Sequence, residues 1–267
     1  MSRLLVPRPA GPDARGRLVT VTRQSAAWRY VGFEAVRLRA GERCERETGD
    51  QEVCVVILAG RCDIACAGER WRDVGGRRSV FDGPPHAAYV PPANALVIEA
   101  KSTRAEIALG WAPATRGARP QLIQPGDTRI EQRGSGSMAR TIHHILMEER
   151  PAEALLVTEV LTPAGHWSSY PPHKHDTNDP PRETYLEETY YHRLRRPEGF
   201  ALHRVYTPDR ALDETIAVRD GDLVLVPKGY HTVSAAPGYD LYYLNVMAGP
   251  VRQWKVTFDP DHRWLLT

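Results

Sequence analysis

Histidines and glutamates crowd into one stretch of this 267-residue chain, PPHKHDTNDPPRETYLEETYYHRL, at residues 171–194. His173 and His175 are separated by a single residue, so on a β-strand both imidazoles point to the same face. Two imidazoles on one strand can bind one metal ion, and a nearby carboxylate can extend the set. The spacing therefore predicts a metal site whose first two ligands are His173 and His175.

Three glutamates that follow these histidines could supply the carboxylate. Glu183 comes first, close to the connecting segment DTNDPPR. In the strand predicted for ETYLEETYYHRL, one face carries Glu188, Tyr190 and His192, and the opposite face carries Glu187 together with an arginine. The face with Glu188 brings fewer charges into a barrel interior, so the pattern favours Glu188 as the third ligand.

A fourth ligand is predicted at His231, which follows GDLVLVPKGY. The Pro-Lys-Gly turn begins a new strand there and can direct the imidazole inward. Three imidazoles and one carboxylate suit Zn, Mn, Fe, Co or Ni, and we expect one divalent ion per chain. Four protein ligands leave one or two positions open on a five- or six-coordinate ion, which favours a catalytic site over a closed structural one.

The elements that must position these residues are short β-rich runs such as VCVVILAG, EALLVTEVL, DLVLVP and YDLYYLNVM, with 22 prolines and 21 glycines spread along the chain. No segment has a sustained helical period, so we expect an all-β sandwich or barrel architecture. A faint internal repeat relates YVPPAN in the first half to LVPKGYH in the second, which predicts two β modules. Eight of the ten histidines lie between His143 and His231, so the second module should hold the chemistry.

Composition restricts the function classes. The net charge is +2 with no Lys/Arg block, which argues against nucleic acid and against an anionic membrane as partners. No apolar run approaches 18 residues, and the basic N-terminus lacks the apolar region of a signal peptide, so we expect a cytoplasmic protein. The four cysteines show no zinc-ligand spacing, and buried free thiols are expected at Cys44, Cys54, Cys62 and Cys66.

Several sequence motifs of the chain resemble those of a known family. The motifs GHWSSYPPHKHD, LEETYYHRL, GFALHRVYT, LVPKGYH, PGYDLYYLNVMAG and RQWKVTFDPDHRWL are similar to those of the 5-deoxy-glucuronate isomerases of myo-inositol catabolism, within the cupin superfamily. In the first half, WRYVGFEAVRL and ETGDQEVCVVILAG look like the same family. The resemblance covers nearly the whole chain, and its second-half motifs are the most specific.

The resemblance implies a bicupin, with two jelly-roll β-barrels of which the C-terminal one binds the metal. We expect an N-terminal arm (1–18), a first barrel without a metal site (19–115), a linker (116–140) and a metal-binding barrel (141–267). The implied ligands are His173, His175, a glutamate and His231. Both Glu183 and Glu188 fit the pattern of the sister uronate isomerases. The number of residues between the glutamate and His203, the histidine of the next strand, favours Glu188.

The implied reaction is the aldose–ketose conversion of 5-deoxy-D-glucuronate to 5-dehydro-2-deoxy-D-gluconate. The candidate proton-transfer residues are His192, Tyr190 and Glu187, and the sequence does not choose among them. The substrate is a uronic acid, and Arg182, Arg140 or Arg252 could hold its carboxylate while Tyr243 lines the pocket. A homo-oligomer is expected. A metal-dependent cupin dioxygenase and a non-enzymatic sugar-acid-binding bicupin are the alternatives.

Overall fold

The computed structural model describes residues 2–266, and strands dominate it. The strands are β1 (Leu5–Val6), β2 (Arg17–Val21), β3 (Gly32–Arg39), β4 (Arg43–Glu47), β5 (Gln51–Ala59), β6 (Arg61–Cys66), β7 (Glu69–Gly75), β8 (Ala87–Val90), β9 (Ala95–Ala100), β10 (Arg104–Pro113), β11 (Gln121–Ile123), β12 (Arg129–Arg133), β13 (Arg140–Leu146), β14 (Leu156–Thr162), β15 (Trp167–Lys174), β16 (Glu187–Leu194), β17 (Ala201–Tyr206), β18 (Asp213–Val218), β19 (Leu223–Val226), β20 (Tyr230–Ala235), β21 (Leu241–Ala248) and β22 (Thr257–Phe258). The helical elements are α1 (Arg23–Ala26) and 3-10 turns at Pro125–Asp127, Gly136–Met138 and Pro260–Leu266.

The first module, β2 to β11, consists of two sheets packed face to face. The larger has the order β11-β8-β5-β10-β3-β2, and the smaller has the order β4-β9-β6-β7. Apolar side chains of both sheets fill the space between them, including Ile57, Ile64, Ile98 and Leu109. This interior is a close-packed apolar core.

The second module is built in the same way from β12 to β22, with β1 added at one edge. Its larger sheet has the order β1-β19-β16-β21-β14-β13-β12, and its smaller sheet has the order β18-β17-β20-β15-β22. All the strand pairs between these neighbours are antiparallel. The prediction of an all-β protein with two jelly-roll modules is confirmed. No helix within residues 2–266 is long and apolar enough to cross a membrane.

The segments expected as arm and linker contain ordered strands. Within residues 1–18, Leu5 and Val6 form β1, which pairs with β19 of the second module. Within residues 116–140, β11 pairs with β8 and β12 pairs with β13, so only a short 3-10 connection separates the two modules. The stretch 116–140 thus combines edge strands with turns that contain Gly and Pro.

Each module contributes a buried carboxylate that binds backbone N–H groups of the other module. Glu52 of the first module accepts hydrogen bonds from the backbone N–H groups of residues 153, 154 and 155. Glu187 of the second module accepts three from the backbone N–H groups of residues 29, 30 and 31. Because a buried carboxylate without partners is costly, these bonds make the relative position of the modules specific.

The prediction for the cysteines is confirmed. Cys44, Cys54, Cys62 and Cys66 are free and buried. Burial raises the pKa of the Cys54 and Cys62 thiols to about 12, so these groups remain protonated and unreactive at neutral pH.

Candidate metal centre

Three histidines of the second module converge on one point. His173, near the end of β15, and His231, on β20, are direct cross-strand partners with ring centroids 4.6 Å apart. His175 follows the same strand as His173, and its ring lies 5.1 Å from that of His231. One ring nitrogen of each histidine lies within 4.8 Å of the other two, and all three residues are buried.

Glu188 reaches the same point from the opposite sheet. Its Oε2 lies 3.0 Å from Nε2 of His175 and 3.3 Å from Nε2 of His231. The Glu188 side chain extends from β16 of the larger sheet, whereas the imidazoles come from the smaller one. The four residues predicted as ligands are therefore brought together in the interior of the second module.

Backbone carbonyls orient two of the imidazoles. Nδ1 of His175 lies 2.9 Å from the Leu186 carbonyl, and Nδ1 of His231 lies 3.2 Å from the Gly229 carbonyl. A carbonyl can only accept, so Nδ1 of each ring donates to it, and Nε2 of each ring faces Glu188. Nε2 of His231 is buried and has no hydrogen-bond partner among the described residues. Converging ring nitrogens and a carboxylate, with one of these nitrogens unpartnered, fit a divalent cation.

The electrostatics of the cluster favour the same occupant. Burial by itself would raise the pKa of Glu188, but the neighbouring imidazoles of His175 and His231 lower that pKa to about 2. Burial lowers the pKa of His173, and the neighbouring imidazoles lower it further. At neutral pH Glu188 is thus an anion and His173 is neutral, the states in which both bind metals. Burial also disfavours the charged form of His175, but Glu188 raises its pKa, so a proton competes with a metal ion there.

Gly229 explains how the turn before His231 can form. Its φ is +91°, and a Cβ at this position would lie 2.5 Å from the carbonyl oxygen of Tyr206. Only glycine adopts this conformation at such close range without strain. The Pro-Lys-Gly turn predicted from the sequence therefore directs His231 inward.

The other two glutamates lie outside the cluster. Glu183 accepts hydrogen bonds from Lys174 Nζ and from the backbone N–H groups of Asp176 and Thr177, so it orders the loop after β15. Glu187 faces the first module, where its carboxylate is engaged by three backbone N–H groups. Strand alternation thus turns Glu187, the predicted proton-transfer candidate, away from Glu188.

A cavity opens beside the cluster, between the two sheets of the second module. His173 and Glu188 form one part of its wall. The remaining lining residues are the polar side chains of Arg133, Arg140, His144, Thr158, Ser169, Tyr190, Tyr243 and Asn245 and the apolar side chains of Ile142, Met147, Val160, Met247 and Trp254. The predicted residues Tyr190, Tyr243 and Arg140 thus share this cavity with two of the predicted ligands.

His192 and Arg182 are also absent from the wall of this cavity. His192 is fully buried in the packed interior beyond it, where Nε2 lies 3.3 Å from Nδ1 of His203. Arg182 has a side chain 80% exposed and pairs with Asp179, three residues away. Neither the predicted base His192 nor the predicted carboxylate clamp Arg182 therefore lies where it would line this cavity. Arg252, the other arginine considered, donates to the carbonyls of Leu155 and Met147.

The sequence reasoning missed several residues of the cavity wall, including His144, Thr158 and Ser169. His144 lies in the segment TIHHILMEE, residues 141–149, which is too short for its pattern to distinguish a strand from a helix. Its identification as β13 places Ile142 and His144 on one face and His143 on the other. The alternation of that strand is the signal that could have identified His144.

Comparisons with known proteins agree with this architecture. The model of the KduI/IolB family matches residues 4–265. The 5-deoxy-glucuronate isomerase of Geobacillus kaustophilus is 51% identical over 267 residues, which cover all of this chain and 96% of the relative. The 5-deoxy-glucuronate isomerase of Bacillus subtilis strain 168 is 44% identical over 248 residues, covering 92% of this chain and 91% of the relative.

Solved structures with the same fold include an IolB-like protein from Salmonella typhimurium, with a TM-score of 0.96 and 42% identity over the full length of both chains. The oxalate decarboxylase of Lactobacillus farciminis superposes with a TM-score of 0.69 at 12% identity, covering 97% of this chain and 89% of that one. The second likeness concerns the fold alone, and it agrees with a bicupin architecture.

Proposed function

The chain belongs to the KduI/IolB family, and on this premise we propose that it is a metal-dependent isomerase that converts 5-deoxy-D-glucuronate to 5-dehydro-2-deoxy-D-gluconate. The observation that carries the proposal is a cavity with the cluster of His173, His175, Glu188 and His231 on one side and the guanidinium of Arg140 in its wall. Such a cavity suits a small sugar acid with a carbonyl at one end and a carboxylate at the other.

The reaction moves hydrogen atoms within one molecule and needs no oxidant. The C2–H proton is transferred to C1, and the hydroxyl proton of O2 is transferred to O1. A divalent ion held by the four ligands would supply Lewis-acid stabilisation of the negative charge that develops on these two oxygens. The donor set of three nitrogens and one oxygen suits one ion of Zn, Mn, Fe, Co or Ni per chain.

Arg140 is the proposed partner of the substrate carboxylate. It is only 8% exposed, and its Nη1 donates to the carbonyl of Met138. Within residues 2–266 it forms no ion pair, unlike the buried Arg77, which binds Glu159 through two nitrogens. A buried guanidinium without a counter-ion is costly, and a bound carboxylate would satisfy it in the bidentate geometry that arginine favours.

Three hydroxyl groups form the part of the wall that would face the hydroxyls of the sugar. Oγ of Ser169 lies 3.0 Å from the Tyr190 hydroxyl and 3.4 Å from that of Tyr243. Each hydroxyl can both donate and accept, so the group can bind a sugar hydroxyl in either role. We assign Tyr190 and Tyr243 to substrate orientation on this basis.

The proposal extends to the setting of the enzyme. Buried, unpaired thiols suit a reducing compartment, and we place the protein in the cytoplasm. We also propose a homo-oligomer, because Trp167, Phe200 and Leu202 are large apolar side chains that remain 39–47% exposed. Light scattering of the purified protein measures the oligomeric state directly.

The test of the function is turnover of 5-deoxy-D-glucuronate by metal-loaded protein, followed by product NMR. We expect wild type and Glu187→Gln to form the ketose, and Glu188→Gln to lose both metal and turnover. Glu187→Gln is the matched control, because it is the adjacent residue on the opposite face of β16. If the wild-type protein binds metal but leaves the sugar unchanged, the proposal of an isomerase is overturned. Oxygen uptake would then indicate a dioxygenase, and tight binding without reaction would indicate a sugar-acid-binding protein.

A further inference from the structure

We propose that His144, held by Glu131, is the base that carries the proton from C2 to C1 of the substrate. The inference rests on the proposed isomerase function and assigns a catalytic residue within it. Its basis is the position of His144 in the cavity wall, the hydrogen bond that fixes its tautomer, and a buried ring nitrogen without a partner.

The first observation is the direction of the side chain. On β13, His143 and Ile145 point toward the module interface, where His143 binds Glu159 and Ile145 belongs to the core shared by both modules. Ile142 and His144 point the other way and line the cavity. His144 is 6% exposed, so its imidazole is held within the module and is shielded from bulk water.

The second observation is the protonation pattern of the ring. Nε2 of His144 lies 2.9 Å from Oε2 of Glu131, on the neighbouring strand β12. Because a carboxylate accepts, Nε2 carries the proton and Nδ1 has a free lone pair. Nδ1 is buried, and among the described residues it has no hydrogen-bond partner. The ring that lines the cavity thus carries an acceptor that no protein group satisfies, as a residue that takes a proton from a ligand requires.

The charges around the pair support this role. Arg133 donates to both carboxylate oxygens of Glu131, at 2.6 and 3.0 Å, and this interaction lowers the pKa of Glu131 to about 2. Burial lowers the pKa of His144, while Glu131 opposes that effect. His144 is therefore neutral at neutral pH, and the carboxylate behind it stabilises the imidazolium that forms when it accepts a proton.

Elimination among the cavity residues leads to the same choice. The groups of ordinary base strength in the wall are His144, His173 and Glu188, and the last two belong to the proposed metal cluster. The phenols of Tyr190 and Tyr243 are protonated at neutral pH, as are the two arginines. His144 is thus the base left for proton transfer.

The step balances without any added reagent. Nδ1 takes the C2 proton, the C2–H electron pair forms a C1–C2 double bond, and the carbonyl electron pair moves to O1. The reverse flow of electrons from O2 then forms the C2 carbonyl, and Nδ1 returns the proton to C1. The hydroxyl proton of O2 is transferred to O1, so the ketose has the same atoms as the aldose.

The experiment compares His144→Gln with His143→Gln, its neighbour on the opposite face of β13. We expect His144→Gln to reduce kcat 10²- to 10⁴-fold, about the range for loss of a general base, while bound metal and substrate affinity are retained. With a substrate deuterated at C2, the His144→Gln variant should also fail to exchange the deuterium with water. His143→Gln should lose stability but keep turnover within about threefold of wild type.

Glu131→Gln provides a second readout that a structural role would not change. The charged groups that act on His144 are Glu131, Arg129 and Glu149. Removing the Glu131 charge lowers the pKa of the imidazole, so the acid limb of the kcat/KM profile should move to lower pH. This variant also tests the proposal if His144→Gln does not fold.

The outcomes separate the two proposals. If wild type isomerises the sugar and the kcat of His144→Gln lies within about threefold of the wild-type value, the base assignment alone is overturned. An unchanged acid limb in Glu131→Gln does the same. Wild type that neither converts the sugar nor exchanges C2 deuterium overturns the isomerase, and the base assignment with it.

Discussion

Oε2 of Glu188 and Nε2 of His175 lie 3.0 Å apart, although one residue is on the larger sheet and the other follows a strand of the smaller sheet. The carbonyl of Leu186 holds the other nitrogen of the same imidazole. These contacts fix the carboxylate and the imidazole relative to each other, and the two sheets meet through them. A metal ion bound here would join the sheets of the second module.

Metal binding should therefore stabilise the fold. A metal at a free concentration 100 times its Kd raises the free energy of unfolding by about 2.7 kcal/mol through mass action. We therefore expect the metal to raise the Tm of wild type but not the Tm of Glu188→Gln. Glu183→Gln should keep the metal-dependent increase, even if its own Tm is lower. Calorimetry with and without a chelator measures it. Retention by Glu188→Gln together with loss in Glu183→Gln would identify Glu183 as the ligand instead.

Arg140→Gln should weaken substrate binding. A charged hydrogen bond to a carboxylate contributes roughly 1.5–3 kcal/mol, so KM should rise about 10- to 100-fold. Arg182→Gln is the matched control, because its exposed guanidinium pairs only with Asp179 in the structure and its loss should leave KM unchanged. Steady-state kinetics on the two variants decides the point, and an equal response of both would remove Arg140 from the site.

Val160 should contribute to the selection of a 5-deoxy sugar. It is the cross-strand partner of Ile142, and together they form an apolar part of the cavity wall next to the polar pair His144 and Thr158. A C5 hydroxyl buried against Ile142 and Val160 would lack a hydrogen-bond partner, at a cost of about 1–3 kcal/mol. Val160→Thr should therefore reduce the preference for 5-deoxy-D-glucuronate over D-glucuronate by about tenfold.

The preference is measured as a ratio of kcat/KM values, or of inhibition constants if D-glucuronate does not react. Val157→Thr, on the same strand but facing the shared core of the modules, should leave this ratio unchanged. A ratio that is equal in wild type and Val160→Thr would show that the C5 position contacts another part of the wall.

Glu106 should make stability depend on pH. It lies on β10 of the first module and binds Arg193 of the second at 2.6 Å, as well as Arg37 and Arg104. Burial would raise its pKa, but Arg193 and Arg104 lower it from 4.5 to about 2. Because the folded-state pKa is depressed, the ionised group stabilises the fold above pH 4.5. This stabilisation, about 3 kcal/mol, is lost as the pH falls toward 2.

Urea unfolding of wild type and Glu106→Gln between pH 7 and pH 3 tests this dependence. The difference in free energy of unfolding should be largest at neutral pH and should shrink below pH 4.5. A constant difference across the range would show that the charge of Glu106 does not contribute. Glu99→Gln should show little effect, because Glu99 on β9 is only partly buried and pairs with the exposed Arg43.

Much of the candidate site could be predicted from local sequence. The spacing of His173 and His175 determines that both point to one face of a strand, and the glycine before His231 permits its inward turn. The alternation along β16 separates Glu188 from Glu187 in the same way. These relations depend on backbone geometry over a few residues, which is why sequence reasoning could find them.

The environment of each side chain could not be predicted in this way. His192 shares a face with Glu188, yet the module is already closely packed at its position, and the cavity ends before reaching it. Arg182 lies near the ligands in the sequence, but its loop directs it into solvent. Whether a residue on the interior face meets a cavity or a packed core depends on the opposite sheet.

The sequence by itself determined the all-β class, the two modules, the four residues of the predicted metal cluster and the family that they resemble. Only the tertiary structure decided which polar groups share the cavity, that Glu187 joins the modules, that Arg140 is buried without a counter-ion, and that Glu131 holds His144. The physical reason is that strand period determines the face of a residue. Its partners, burial and charge depend on strands far away in the chain.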